Sequence, residues 1–286
     1  PTRAPCRVRR LQPLVTERCD VAIVGSGFAG SLLARILVGL GYEVTLLERG
    51  AHPRFAIGES STPLANLSLE RIGRRYGLTD CHNLATHGRW MRHFPAVRRG
   101  LKRGFTFYRH HPGRGLGADL GAERLLVAAS PNDAVADTHW LRADVDHHFV
   151  REAIAAGVDY RDRVELTGAV FDAAGARLSG HRHGEALSLQ ANFVIDASGP
   201  SGFLARHLPI ASALQRVRTK SALVFGHFGR VRLMNEAVPG MPEGPYPDDW
   251  AAVHHVIDEG WMYSLRFDHG VTSAGFLLSP QGLASL

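Results

Sequence analysis

The sequence predicts an α/β protein in which a domain built on a β-α-β unit is interleaved with a β-rich second domain. Two observations support this prediction. Apolar runs and a helical pattern near the start indicate a strand over 20–24, a helix over 28–40 that stops at Gly41, and a strand over 42–47. Later in the chain, short strand patterns alternate with turn residues, which is typical of antiparallel sheets. The 286 residues are enough for both domains to bury a core.

Periodicity predicts the remaining elements. Helices are expected over 64–76 and 141–156. Strands are expected over 104–109, 164–172, 176–181, 186–189, 193–196, 222–228, 251–257, 261–267 and 272–278. The strands between 164 and 189 form an antiparallel meander, and 193–196 is expected to be a separate buried strand. The predicted domains are a basic arm over 1–19, a nucleotide-binding domain over 20–85 and 140–205, and a substrate domain over 86–139 and 206–286.

A glycine-rich turn joins the first strand to the first helix. Gly25 permits the tight turn, Gly27 lets a pyrophosphate approach the backbone, and Gly30 permits close packing of helix on strand. Phe28 and Ala29 begin the helix, whose N-terminal N–H groups and positive dipole favour phosphate. Because this GxGxxG pattern lies between a predicted strand and a predicted helix, it predicts a Rossmann-type dinucleotide site.

An acidic residue follows the second strand. Glu48 lies 18 residues after Gly30, where a carboxylate accepts hydrogen bonds from ribose hydroxyls and repels a 2′-phosphate. We assign the next residue, Arg49, to the same site. The meander that follows, in place of further β-α repeats, favours FAD over a nicotinamide dinucleotide, and a nicotinamide dehydrogenase is the alternative.

The segment after the meander resembles the p-hydroxybenzoate hydroxylase-like flavoproteins. Asp196, Ala197, Ser198 and Gly199 are similar to the segment that returns to the nucleotide in that superfamily. Arg142 resembles the arginine at the start of a helix in the same proteins. The resemblance implies that these residues bind FAD, and the alternative for Arg142 is a surface ion pair.

The loop over 57–63, Ile-Gly-Glu-Ser-Ser-Thr-Pro, resembles the strap of flavin-dependent halogenases. That resemblance implies that Gly58, Glu59 and Ser60 lie against the flavin and that Glu59 takes part in catalysis. Geranylgeranyl-reductase-like enzymes have a related Gly-Glu-Ser loop. A structural carboxylate that caps the helix near Leu64 is the other interpretation of Glu59.

Lys102 begins the pattern Lys-Arg-Gly-Phe-Thr-Phe, which resembles the stretch around the essential lysine of the same halogenases. The chain has 33 basic residues, of which only Lys102 and Lys220 are lysine. A desolvated lysine can release its proton near neutral pH, whereas an arginine cannot. The alternative is a solvated base, because residues 81–118 hold many arginines and no acid, a composition that suits a solvated face or an anionic partner.

Residues 250–280 resemble the part of these halogenases that carries a Trp-x-Trp-x-Ile-Pro motif. Trp261 is retained and Tyr263 replaces the second tryptophan. The resemblance implies that both line the substrate pocket, and the altered motif leaves halogenation, monooxygenation and reduction open. Family members continue past this region, and the chain ends at Leu286 without an initiator Met, so a truncated flavin-binding fragment without turnover is a further hypothesis.

The resemblance as a whole implies an FAD-dependent oxidoreductase. FADH2, O2 and a halide, chloride or bromide, would give hypohalous acid, and Lys102 would transfer the halogen to an electron-rich aromatic molecule. A separate flavin reductase and an aromatic substrate, free or bound to a carrier protein, are the implied partners.

Several other classes are disfavoured by composition. No nucleic-acid motif accompanies the charge of +6, and the most apolar helix, over 31–40, is too short to span a bilayer. The histidine pairs lack carboxylates at metal-ligand spacing, so no metal site is expected. Acidic residues show no paired-carboxylate pattern at Asp119, Asp133 or Asp137. Three scattered cysteines and no readable signal peptide predict a cytoplasmic protein.

Overall fold

The computed structural model describes residues 16–116 and 120–284, so most of the predicted arm lies outside the described residues. The chain divides into two compact units. One contains the described residues up to His52 together with Phe149–Ala211, and the other contains Pro53–His148 and the residues from Ser212 onward. The predicted boundaries differ from this division, since 53–85 and 140–148 belong to the second unit.

The strands and helices lie at the following positions. The strands are β1 (Glu17–Val24), β2 (Val44–Leu47), β3 (Arg99–Lys102), β4 (Gly104–Arg109), β5 (Arg124–Ala128), β6 (Asp137–Trp140), β7 (Asp159–Arg161), β8 (Val164–Asp172), β9 (Gly175–Arg182), β10 (Glu185–Asp196), β11 (Ala222–Phe228), β12 (Ala252–Ile257), β13 (Gly260–Arg266) and β14 (Thr272–Leu278). The helices are α1 (Phe28–Gly39), α2 (Pro63–Tyr76), α3 (Thr79–Leu84), α4 (His87–His93), α5 (Leu120–Glu123), α6 (Arg142–Ala155), α7 (Met234–Ala237) and α8 (Pro280–Ala284). Within the described ranges, no helix is both long and apolar enough to cross a membrane.

The first unit is built on one six-stranded sheet in the order β7-β2-β1-β10-β9-β8. Strands β7, β2, β1 and β10 run parallel, and β10, β9 and β8 form the predicted antiparallel meander. Apolar side chains of β1 and β2 pack against Ala34 of α1 in a buried cluster that includes Ile23 and Leu46. This packing confirms the predicted β-α-β unit, because a strand buried on both faces needs a helix to cover it.

Strand β10 corrects one prediction. The sequence indicated two strands, over 186–189 and 193–196, but Glu185–Asp196 is a single strand. Its first half pairs with β9 and its second half with β1. The polar residue that suggested a break, Asn192, donates a side-chain hydrogen bond to Asp20 Oδ1 at 3.0 Å. Phe193, expected to be buried, is 64% exposed.

The second unit contains a six-stranded sheet in the order β11-β14-β13-β12-β4-β5 and a separate two-stranded ladder of β3 and β6. Strands β4, β8, β11 and β14 begin and end where the sequence predicted. Strands β3 and β6 were not predicted, because Arg-Gly-Leu-Lys and Asp-Thr-His-Trp show no alternation of apolar and polar residues. All four residues of β6 are nevertheless buried, so tertiary pairing rather than local pattern makes these segments strands.

Candidate functional site

The glycine-rich turn of the first unit is closely packed against the segment that follows β10. A Cβ atom on Gly25 would lie 2.4 Å from the carbonyl oxygen of Ala197, and one on Gly30 would lie 2.1 Å from the oxygen of Gly25. Gly25 also has φ +105°, a left-handed conformation that favours glycine. The structure therefore brings together two segments that the sequence placed about 170 residues apart.

Glu48 lies directly after β2 and is 7% exposed. Its carboxylate accepts hydrogen bonds from Ser26 N at 3.1 Å, Ser26 Oγ at 2.8 Å and Gly50 N at 2.8 Å. The Ser26 hydroxyl lies within the glycine-rich turn, so Glu48 holds that turn against the end of the strand. Arg49, the next residue, is exposed.

Asp196 at the end of β10 organises the segment that follows it. Its Oδ1 accepts from Ser198 N at 3.0 Å and from Ser198 Oγ at 2.6 Å, and its Oδ2 accepts from Leu204 N at 2.8 Å. Burial acts to raise the pKa of Asp196, but the hydrogen bonds from Ser198 and Leu204 outweigh it and lower the pKa. The turn ends at Gly199, which has φ +64°.

The residues present in this unit fit a dinucleotide. Helix α1 starts at Phe28 with Gly27 as its cap, no side chain of the cap bonds to the first turn, and no acid lies there. Such a helix start offers N–H groups and positive dipole to a pyrophosphate. Ala29, in the first turn, is exposed, so the approach to the turn is not covered by its own side chain.

In the second unit, Lys102 is 1% exposed at the end of β3. Its Nζ donates a hydrogen bond to the Ser61 carbonyl oxygen at 2.5 Å and lies 4.4 Å from the centre of the Phe105 ring. Burial lowers the pKa of Lys102 from 10.5 to about 8, although the charge of Asp137 acts to raise it. The interpretation of Lys102 as a solvated base is therefore wrong.

Most arginines around Lys102 in sequence are engaged by acids. The ion pairs join Arg89 to Glu70, Arg99 to Asp268, Arg103 to Asp133, Arg109 to Asp258, and Arg114 to Glu123. The acids come from outside the basic stretch, which is why the sequence suggested an uncompensated patch.

Glu59 and Ser60 precede Ser61 in the loop that contacts Lys102. Glu59 is 3% exposed, and its carboxylate interacts with His227 Nε2 at 2.9 Å and accepts from Arg142 N at 3.3 Å. Ser60 forms a backbone bridge with His139 of β6. Helix α2 is instead capped by Thr62, whose Oγ1 accepts from Ala65 N, so Glu59 does not cap this helix.

Arg142 lies at the start of α6, as the sequence indicated. Its guanidinium donates to both carboxylate oxygens of Asp146, at 2.8 and 2.9 Å, and to the Ile57 carbonyl oxygen at 2.7 Å. Gly58 adopts φ +95° beside it, and a Cβ atom there would lie 3.3 Å from Arg142 Nη1. These contacts show that Arg142 supports the loop over 57–63, and its assignment to the cofactor stays a prediction.

Trp261 and Tyr263 point to one face of β13 and belong to a cluster that also includes Phe105. The Trp261 ring centre lies 5.0 Å from that of His254 and 6.3 Å from that of Tyr263. Since the Phe105 ring also contacts Lys102, the two predicted substrate-pocket residues share an aromatic cluster with the lysine.

The sequence did not identify three residues of this region. Asp137 and His139 lie on β6, which pairs with β3, and His227 lies on β11. Asp137 was set aside because the acids around it show no paired-carboxylate pattern, and Asp119, set aside with it, lies outside the described residues. A signal was present for His227, which stands as the one ionisable residue in an apolar strand.

Residues 18–232 match the family described as FAD binding domain. The chain is 29% identical over 252 residues to the tetracycline 7-halogenase of Kitasatospora aureofaciens, a match that covers 87% of this chain and 44% of that protein. It is 27% identical over 267 residues to the monodechloroaminopyrrolnitrin halogenase PrnC of Pseudomonas fluorescens, covering 91% and 44%. The chain thus spans less than half the length of these relatives.

The structure is also similar to crystal structures of the halogenase PltM. One superposes with a TM-score of 0.82 at 25% identity, covering 92% of this chain and 52% of the other. Another, a complex of PltM with phloroglucinol and FAD, has a TM-score of 0.82 at 24% identity with the same coverage. The fold of the described residues is therefore that of about half of such a protein.

Proposed function

The chain belongs to the FAD binding domain family, and from this premise we propose that it is part of a flavin-dependent halogenase acting on an electron-rich aromatic molecule. The observation that carries the proposal is the buried Lys102, which is bonded to the loop over 57–63 and lies among aromatic side chains. The relatives from Kitasatospora and Pseudomonas, both halogenases by name, support it.

The first unit would hold the cofactor. The N–H groups at the start of α1 and the turn at Gly25 and Gly27 would bind the pyrophosphate, and Glu48 would accept hydrogen bonds from a ribose hydroxyl. When bound in its reduced form, FAD would supply the two electrons that let O2 oxidise a halide: FADH2 + O2 + X⁻ + H⁺ gives FAD, HOX and water, with X chloride or bromide. A separate flavin reductase would supply FADH2.

Lys102 would then transfer the halogen. With its pKa lowered to about 8 by burial, a useful fraction of the side chain is the neutral amine near neutral pH. The amine nitrogen attacks the halogen of HOX, the X–O bond breaks, and water leaves with the amine proton. The aromatic ring next attacks the halogen on nitrogen, and the ring proton restores the amine. The Phe105 and Trp261 rings supply an apolar surface for such a substrate.

Oxygenation of the substrate without halogen is the second candidate, and the altered motif favours it. Tyr263 stands where the halogenases of the resemblance have a second tryptophan, and it is buried against Trp261. A flavin monooxygenase or reductase on this scaffold would still bind FAD but would not need Lys102.

The test uses the full natural protein with FAD, a flavin reductase, NADH, O2, bromide and a panel of phenols, pyrroles and indoles, free and linked to a carrier. Mass spectrometry should detect the bromine isotope doublet. Lys102→Arg should lose the doublet, because arginine keeps its proton. Lys220→Arg is the matched control, since Lys220 is the second lysine within residues 1–286 and is exposed, and it should retain activity.

Other outcomes separate the alternatives. A doublet that survives Lys102→Arg would support halogenation but overturn the role of the lysine. Oxygenated product without bromine would favour the monooxygenase. Saturable FAD binding without any turnover would support a non-catalytic flavin-binding protein, and tight NADH binding without FAD binding would revive the dehydrogenase.

A further inference from the structure

The two-stranded ladder of the second unit places an acid directly opposite Lys102. Lys102 of β3 pairs with Asp137 of β6 in antiparallel register. Side chains directly opposite in such a ladder project to the same face, with Cβ atoms about 5 Å apart. The two ionisable side chains therefore share one buried environment, since Lys102 is 1% exposed and Asp137 is 5% exposed.

Only one of the two Asp137 carboxylate oxygens accepts a hydrogen bond from the described residues. Its Oδ1 accepts from Asn66 Nδ2 at 2.6 Å, while its buried Oδ2 has no hydrogen-bond partner among the described residues. A buried carboxylate in this state needs a compensating positive charge. The pKa of Asp137 is raised by burial and lowered by Lys102 and by the Asn66 hydrogen bond, with burial the largest effect.

The two histidines near Lys102 carry no charge that competes with that of Asp137. Burial lowers the pKa of His139 to about 3 and that of His254 to about 4, so both are neutral at neutral pH. The turn Asp248–Trp250 also packs against β3, but the Asp248 carboxylate is bound by Arg124, and the Asp249 carboxylate accepts from Met234 N. Within the described part of the chain, Asp137 is thus the acid whose charge acts on Lys102.

We propose that Asp137 is a positioning residue that acts through Lys102: its carboxylate, held by Asn66, is the counter-ion that sets the pH at which the Lys102 ammonium gives up its proton. The role of this pair in catalysis rests on the proposed function. The counter-ion relation does not, because it concerns only groups of this chain.

The test is a lysine titration that needs no turnover. The full protein is labelled with lysine carrying ¹³C at Cε, and the Cε shifts are followed by NMR as the pH is varied. Lys102→Arg identifies the Lys102 signal by its loss, and Lys220→Arg identifies the Lys220 signal in the same way. In Asp137→Asn, the midpoint of the Lys102 titration, the pH at which this side chain is half protonated, should fall by about one pH unit or more. The reason is that the substitution removes the negative charge that favours the ammonium. The Lys220 midpoint should stay in place.

Matched variants make the result specific. Asp133→Asn removes a half-exposed carboxylate that pairs with Arg103 and should leave the Lys102 midpoint unchanged. If Asp137→Asn does not fold, Asn66→Ser replaces it. Loss of the Asn66 hydrogen bond favours protonated Asp137, so the Lys102 midpoint should again fall, by less.

An unchanged or higher Lys102 midpoint in the folded Asp137→Asn protein would overturn the proposal. In the bromination assay, the same substitution should move the acidic limb of the pH profile to lower pH. A lowered midpoint in a protein that makes no brominated product would uphold the counter-ion and reject the halogenase, so the two failures are distinguishable.

Discussion

In the first unit, the predicted nucleotide site is made of backbone and small side chains. Gly25, Gly30 and Ala197 approach so closely that a single added methyl group would overlap a carbonyl oxygen. In the second unit, the Lys102 region is made of large ionisable and aromatic side chains that are buried together. The first region is limited by space and the second by the burial of charged groups, so different substitutions should damage them.

The largest effect is expected where space is the limit. Gly30→Ala would place a methyl carbon 2.1 Å from the Gly25 oxygen, and a backbone atom within a turn cannot easily yield. We expect the free energy of unfolding of this unit to fall by more than about 4 kcal/mol, measured by urea denaturation.

Gly39→Ala in the same helix is the matched control. A Cβ atom there would have nothing within 4 Å, so the substitution should be neutral or stabilise by about 0.5–1 kcal/mol. Equal effects of the two substitutions would show that the turn can relax and that packing does not limit this region.

The next effect concerns the charge of Lys102. The unfolded chain binds this proton below pH 10.5, whereas the folded protein binds it only below about pH 8. Between these values the unfolded state binds more protons, so the stability of the wild type rises with pH through this window. Lys102→Met removes this titrating group. The free energy of unfolding of Lys102→Met minus that of wild type should therefore fall by about 3 kcal/mol from about pH 8 to about pH 11.

Urea denaturation at both pH values measures this change, with Lys220→Met as the control. Lys220 is exposed, so its substitution should give the same stability difference at both pH values. A pH-independent effect of Lys102→Met would contradict the burial of a titrating amine.

A smaller effect is expected at Glu59. His227→Phe keeps an aromatic ring against Phe55 and Phe267, but it removes the partner of Glu59 Oε2. The free energy of unfolding should fall by about 2 kcal/mol, because a buried acceptor is left unpaired.

A double-mutant cycle isolates this interaction. Glu59→Met combined with His227→Phe removes both polar groups and should cost less than the sum of the two single substitutions. Additive effects would mean that the two side chains do not interact in solution.

The two regions also differ in which of their residues could be predicted from the sequence. The glycine pattern and Glu48 were predicted from spacing, because they belong to a short motif at the edge of a parallel sheet. The segment from Asp196 to Gly199 was predicted from its resemblance to known flavoproteins. Resemblance pointed to Lys102 and Glu59. Asp137 was not found, because β6 shows no strand pattern and only its pairing with β3 places Asp137 opposite Lys102. His227 was not found, because its partner Glu59 is distant in sequence.

By itself, the sequence determined the β-α-β unit, the meander and the limits of four strands, because apolar periodicity, glycine and turn residues act over a few positions. Only the tertiary structure decided that β3 and β6 pair, that 186–196 is one strand, and that the single lysine of a basic stretch is buried opposite an acid. Burial and electrostatics depend on which distant groups surround a side chain, and local pattern carries no record of that.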